Sequence, residues 1–251
     1  MATAPEKAKL TIVTDVSVGD WIRDSLTPWV PFTEVQITIG FVIPKGFESY
    51  VLIRHTGERD HQGSLGPETL ETLLIVLSKF TKAQEDCFYA IWEGYGWGNP
   101  GVPLIAVRRP RFQRFVQQFI SRFGSHPHRS RRRTYVQPEE DPDLHTLPVG
   151  IMKSERFKLP YRDYLLARGS LFEAMKIGHR RSEWFQPQSP NLLWPIDKSW
   201  ILATEIDFDV TLIAGSEQLV EAILSTDSLT AERFSVSDTY EQLRVADSWS
   251  S

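Results

Sequence analysis

Three carboxylates, Glu205, Asp207 and Asp209, stand at alternate positions in the stretch ATEIDFDV. On one extended strand they would share a face, about 6.7 Å apart at roughly 3.3 Å per residue. In water, neighbours at that spacing repel by only about 0.6 kcal/mol, and salt weakens this further. At a partly enclosed site with an effective dielectric near ~20, each neighbouring pair costs about 2.5 kcal/mol. A cation is then required, either a hard divalent metal such as Mg²⁺ or an arginine. The three residues are therefore the candidate metal ligands. The favoured reading is the simpler one, a solvated or arginine-paired face with no cofactor.

A second constellation is WEGYGWGN, residues 92–99. Its glycines permit tight backbone turns, while Trp92, Tyr95 and Trp97 offer aromatic faces around Glu93. Such a group can form the mouth of a site for a small cationic or sugar-like ligand. The same residues read equally well as a glycine turn whose tryptophans pack into a core. The G-x-G-x-G spacing, followed by Asn99-Pro100, is not a dinucleotide fingerprint. Arg54 and His55 close the stretch FESYVLIRH, and a histidine at a strand end can act as a general base or simply cap the sheet through a hydrogen bond. Trp194 opens a further aromatic segment that runs to Trp200. Cys87 lies within apolar DCFYAIWE and reads as a packing residue. HExxH, paired CxxC, Walker A and GxSxG patterns are absent from the sequence.

The elements that must hold these residues follow from periodicity. Residues 10–14, 47–55, 86–93 and 161–168 read as strands. Ser17 with Asp20 suggests a capped helix presenting Trp21, Ile22 and Leu26. Pro67 opens a helix with a stripe of Leu70, Leu73, Leu74 and Leu77. Another amphipathic helix is expected at about 111–123, and Ser170 with Glu173 forms a capping-box pattern for a short one. Residues 199–214 alternate over too great a length for one strand, so a turn, bulge or kink is expected near Asp207–Asp209. A helix burying Leu219, Val220, Ile223 and Leu224 follows Gly215–Ser216. The mixed order, without a βαβ rhythm, predicts an α+β fold: a single mixed or antiparallel sheet packed with several amphipathic helices. One globular domain over 1–251 is expected, with a mobile basic and acidic loop at 124–146.

The whole chain has a net charge of −4, yet residues 105–133 hold nine arginines and no acid. That raises nucleic-acid binding through the arginine-rich 108–133 segment. It is disfavoured because aromatics do not interleave RSRRR and Glu139, Glu140, Asp141 and Asp143 follow closely. Eight tryptophans make the chain tryptophan-rich. A single cysteine, no signal-peptide plan and no apolar run of spanning length suggest a soluble cytoplasmic protein without membrane association.

The blocks GFESYVLIRHT (46–56), DCFYAIWEGYGW (86–97), LPYRDYLLARGSL (159–171) and SPNLLWPIDKSWILATEIDFDVTLIAGS (189–216) resemble those of an uncharacterised protein family of actinobacteria. The resemblance runs from about Trp21 to Leu224, outside the 105–155 region, and implies no activity. The best overall reading is a non-catalytic soluble binding or interaction protein with an aromatic-lined pocket, its partner an unknown protein or small molecule. The alternative is a divalent-metal-dependent hydrolase or transferase built on the acidic strand 205–209.

Overall fold

β-Branched and aromatic residues crowd 49–54, 87–92 and 210–215, and each of these stretches is a strand. The computed structural model describes residues 7–28, 38–57, 60, 63–95, 97, 145–160, 162–181 and 184–243. One antiparallel sheet organises them. Its strands are β1 (Thr11–Ile12), β2 (Ser49–Arg54), β3 (Cys87–Trp92), β4 (Phe157–Leu159), β5 (Arg162–Gly169), β8 (Leu192–Pro195), β9 (Ile201–Ala203), β10 (Val210–Gly215) and β11 (Ala231–Arg233). They lie in the order β1-β5-β3-β8-β9-β10-β2-β11, with β4 beside the first half of β5. A separate hairpin joins β6 (Gly178–Arg181) to β7 (Trp184–Pro187).

Strand alternation divides the core in two. Val51, Ile53, Tyr89, Ile91, Leu165, Leu193, Leu202 and Ile213 face one side, where α2 (Pro67–Ser78) and α3 (Glu217–Leu224) pack. Leu52, Phe88, Ala90, Leu166, Trp194, Ile201 and Leu212 face the other, covered by α1 (Asp20–Ser25) and the turn around Ile39–Ile43. Both faces are buried, which explains why β2, β3 and β10 are apolar at nearly every position. The α2 leucine stripe is buried as its spacing predicts, and Ser216 caps α3 by accepting from Leu219 N at 3.2 Å.

The α+β expectation holds at the coarse level, and the antiparallel sheet dominates. Among the described residues the α-helices are α1, α2, α3 and the short α4 (Tyr240–Leu243). The helix expected at 111–123 lies outside the described residues, as does nearly all of the loop expected at 124–146. Two caps differ from the sequence reading. Asp15, not Ser17, opens the first helical segment, accepting from Ser17 N at 3.1 Å. Leu171–Lys176 is a 3₁₀ helix, and Ser170 makes no side-chain cap there. Glu173 is drawn away to Lys9 N at 2.5 Å and Lys176 Nζ at 2.8 Å, so the reciprocal cap never closes.

Candidate functional site

Residues 199–214 are two strands rather than one. β9 stops at Ala203, β10 starts at Val210, and Phe208 N donates back to Glu205 O at 3.0 Å. Glu205, Asp207 and Asp209 therefore lie in a connecting turn instead of along one strand face. The turn sits where β2, β3 and β9 end and β5, β8 and β10 begin, a geometry fixed by the pairs Val210↔Arg54, Leu192↔Ala203 and Trp92↔Tyr164.

The cation that two of these carboxylates require is an arginine. Arg162 Nη2 donates to Glu205 Oε1 at 2.6 Å and to Asp207 Oδ2 at 3.0 Å. The side chains of Arg162 and Glu205 are 11% and 1% exposed, against 26% for Asp207. The guanidinium lies 5.5 Å from the Trp92 ring centre, a cation–π contact. Burial pushes the Glu205 carboxyl above its ordinary range, Arg162 pulls it back and Asp207 adds to the rise. Asp209 contributes its backbone carbonyl, which accepts from His55 N at 2.9 Å. Among the described residues, no group of three or more His, Cys, Asp or Glu side chains is placed to hold a metal ion. Asp207→Asn should lower stability by about 0.5–1 kcal/mol, since Glu205 still neutralises Arg162 and this arm of the pair is half-open to water. Urea unfolding checks the value.

Beside the pair runs a buried polar chain. His55 Nε2 meets Thr211 Oγ1 at 2.9 Å, and Thr211 Oγ1 meets Thr204 Oγ1 at 2.8 Å. Asn191 Nδ2 donates to Thr204 O at 3.1 Å and to the Tyr95 hydroxyl at 3.2 Å, while its Oδ1 accepts from Trp92 N at 2.8 Å. The Tyr95 hydroxyl then donates to Gly63 O at 3.1 Å. Gly63 has φ +78° and lies so close to the backbone of Ile206 that a side chain would clash. Burial holds the Tyr95 phenol well above its usual value, so it stays a neutral donor.

The sequence candidates thus separate. Trp92, Tyr95, His55, Glu205 and Asp207 join this one centre, and Arg162 and Asn191 complete it. The aromatic faces of 92–97 turn inward: Trp97 is fully buried, stacked on His179 at 4.2 Å and 7°, and donates from Nε1 to Trp92 O at 2.9 Å. Glu93 pairs with Arg156 Nε at 2.8 Å. Arg54 pairs with Glu232 and donates from Nη2 to Leu243 O at 2.8 Å, tying β2 to β11 and α4. Cys87 is buried in β3, and burial raises its thiol to about 12.

Trp194 leads to a different place. It is buried, stacked on Phe88 at 5.4 Å, and meets Trp21 edge-on at 6.3 Å. Trp21 in turn meets Phe47 at 6.2 Å and lines an open cleft of about 460 Å³ at the opposite end of the sheet. Two turns form the cleft walls. Residues 44–47 are pinned by Lys45 N to Ser25 O at 2.9 Å and by the Tyr50 hydroxyl, which accepts from Phe47 N at 3.1 Å and donates to Pro44 O at 3.3 Å. Residues 195–199 are pinned by Asp197, which accepts from Ser199 N, Thr81 Oγ1 and Lys82 N at 3.1, 2.8 and 3.1 Å. Lys198 has φ +53° and sets its ammonium 5.4 Å from the Trp21 ring centre. The sequence reading located the Trp194–Trp200 segment, which contains Lys198 and Ser199, and placed Trp21 on a helix face, but it did not join the two or single out Lys45, a residue type ordinary at a surface.

Comparison with known protein families, curated proteins and solved structures finds no match.

Proposed function

We propose that this protein is a non-catalytic binding domain whose ligand sits in the cleft between Trp21 and Lys198. One observation carries the reading. Trp21 and Phe47, both only partly buried, meet edge-on at 6.2 Å beside the Lys198 ammonium, and all three residues line this one cleft. The two pinned turns favour the same reading, because walls ordered beforehand lose little freedom on binding. A volume near 460 Å³ is in the range of small-molecule sites.

The metal-dependent hydrolase or transferase reading has less support, because Glu205 and Asp207 already give an oxygen to Arg162 and Glu93 gives one to Arg156. Nucleic-acid binding by 108–133 would rest on residues outside those described. No described helix is long and apolar enough to cross a membrane. A single buried cysteine supports a reducing compartment, the cytoplasm. The four-block resemblance supports membership of the actinobacterial family and adds nothing on the ligand.

The test uses the indole N–H signals of the eight tryptophans in a ¹H–¹⁵N correlation spectrum. Trp21→Phe deletes one signal and so assigns it. A panel of small neutral aromatics and small organic anions is titrated into the labelled protein. Binders are expected to move the Trp21 signal, and saturation at ~100 times Kd to raise stability by about 2.7 kcal/mol. Binders that stabilise the protein while leaving that signal fixed would place the site elsewhere and sink the proposal.

A further inference from the structure

We infer that the Lys198 ammonium is the cleft's own occupant, lying over Trp21 where the head of a small organic ammonium ligand goes; this rests on the reading of the cleft as the binding site. The backbone gives the first reason. Lys198 N donates to Pro195 O at 2.9 Å, closing the turn that joins β8 to β9. The residue then sits at φ +53°, a value that glycine or asparagine adopts most easily, and no other described non-glycine residue has a positive φ. The turn itself is held by backbone groups and by the Asp197 carboxylate. The lysine side chain reaches instead to α1, where its ammonium lies over the Trp21 ring. A lysine thus stands where a smaller residue would fit the backbone better, and what it touches is the indole.

The surroundings of that ammonium are those of a cation site. The face of an indole is the negative part of its quadrupole and attracts a cation. Phe47 and Trp194 meet Trp21 at interplanar angles of 61° and 76°, so neither ring lies flat on it. Phe47 adds a second partly open ring to the wall, and Glu48 adds a carboxylate. Glu48 Oε2 accepts from Glu217 N at 3.1 Å, which anchors the group and leaves its charge without an ion pair among the described residues. Lys45 also lines the cleft and opposes a cation, yet Lys198 already stands there against the same opposition. Exchanging one ammonium for another keeps the charge over the indole unchanged. A lysine head is compact and strongly hydrated, and its contact with an exposed ring is weak. A methylated ammonium is less hydrated, and its methyl groups cover the open surface of both rings. It therefore displaces the lysine.

Choline tests this against its neutral isostere, the alcohol in which carbon replaces the quaternary nitrogen. Each is titrated into the full-length protein and read at the Trp21 indole signal and at the side-chain methylene signals of Lys198. In the free protein the indole ring current should hold those methylenes upfield, and Lys198→Asn assigns them by their loss. Choline is expected to move the Trp21 signal and to return the methylenes toward ordinary lysine positions. Lys198→Asn removes the occupant, suits a positive φ, and should tighten choline about two- to fivefold, the equivalent of one exposed cation–π contact. Lys198→Arg should weaken choline, because a guanidinium stacks on the indole more firmly. Lys45→Gln removes the same charge from the cleft without emptying the ring face, and should tighten choline less. Both lysines are exposed, and an unchanged melting temperature verifies that the variants fold.

The isostere binding as tightly as choline would overturn the cation assignment. Choline that moves the Trp21 signal while the Lys198 methylenes stay upfield would overturn the exchange. Equal tightening by Lys45→Gln and Lys198→Asn would also overturn it, because wall charge alone would then account for the effect. If choline leaves the Trp21 signal fixed, the ammonium assignment falls, and the wider panel of neutral molecules and anions decides separately whether the cleft binds anything else.

Discussion

Arg162→Met should lower the free energy of unfolding by about 3–5 kcal/mol at neutral pH. Removing the guanidinium leaves Glu205, 1% exposed, as a buried carboxylate without its cation, and that uncompensated charge is the main cost. It also strips the cation from the face of Trp92 and releases Asp207. The loss should depend on pH in a defined direction. Burial already raises the Glu205 carboxyl in the fold, and Arg162 is the group that lowers it. Without Arg162 the folded-state value rises further above that of the unfolded chain. Between the two values the folded state binds more protons, so stability falls as pH rises and recovers as pH drops. The gap between variant and parent should therefore narrow steadily from neutral pH into the acid range. Urea unfolding at a series of pH values measures it. Adding Glu205→Gln to Arg162→Met should restore most of the loss at neutral pH, because the buried charge is gone. A loss under about 1 kcal/mol, independent of pH, would mean that Glu205 is not held as an ion in the folded protein.

This pair also marks where sequence reasoning stops. The alternation in EIDFD showed that the carboxylates need water or a cation, and the excess length of 199–214 showed that the chain must turn among them. It could not name Arg162, which lies 43 residues from Glu205 and meets it only because β5, β3, β8 and β9 are neighbours in the sheet. Sheet order is a non-local property, and nothing in the spacing of one segment records it. Local patterns fared better. The α2 leucines and the α3 stripe follow helical period closely enough that their burial could be read directly. Capping at Ser170 failed for a non-local reason too, since the Lys9 backbone takes the Glu173 carboxylate. The cleft was half-legible. Trp194 and Trp200 drew attention to the right segment, yet both are buried, and the residues between them that line the cleft are Lys198 and Ser199.

Trp97→Ala distinguishes the two meanings of the WEGYGW stretch, a ligand mouth and a packed turn. The ring is fully buried, lies flat on His179 and meets Tyr95 edge-on at 6.0 Å. Its indole N–H holds Trp92 O at 2.9 Å, which fixes the turn that follows β3 and so the side chain against which Arg162 rests. Truncation removes the ring, opens a cavity and frees the Trp92 carbonyl, and should cost about 3–5 kcal/mol. Trp97→Phe keeps much of the ring volume and loses the hydrogen bond, so it should cost less, about 1–2 kcal/mol. If Trp97 serves packing, ligand affinity at the Trp21 cleft should be the same in the folded fraction of either variant, because the two places lie at opposite ends of the sheet. Stability that is unchanged on truncation, together with lost binding of any ligand, would return Trp97 to the role of a contact surface. The ratio of the two losses is informative by itself. A phenylalanine that rescues most of the stability identifies ring volume as what holds the turn. A phenylalanine as damaging as alanine identifies the Trp92 carbonyl, and with it the positioning of Arg162, as the interaction on which this end of the sheet depends.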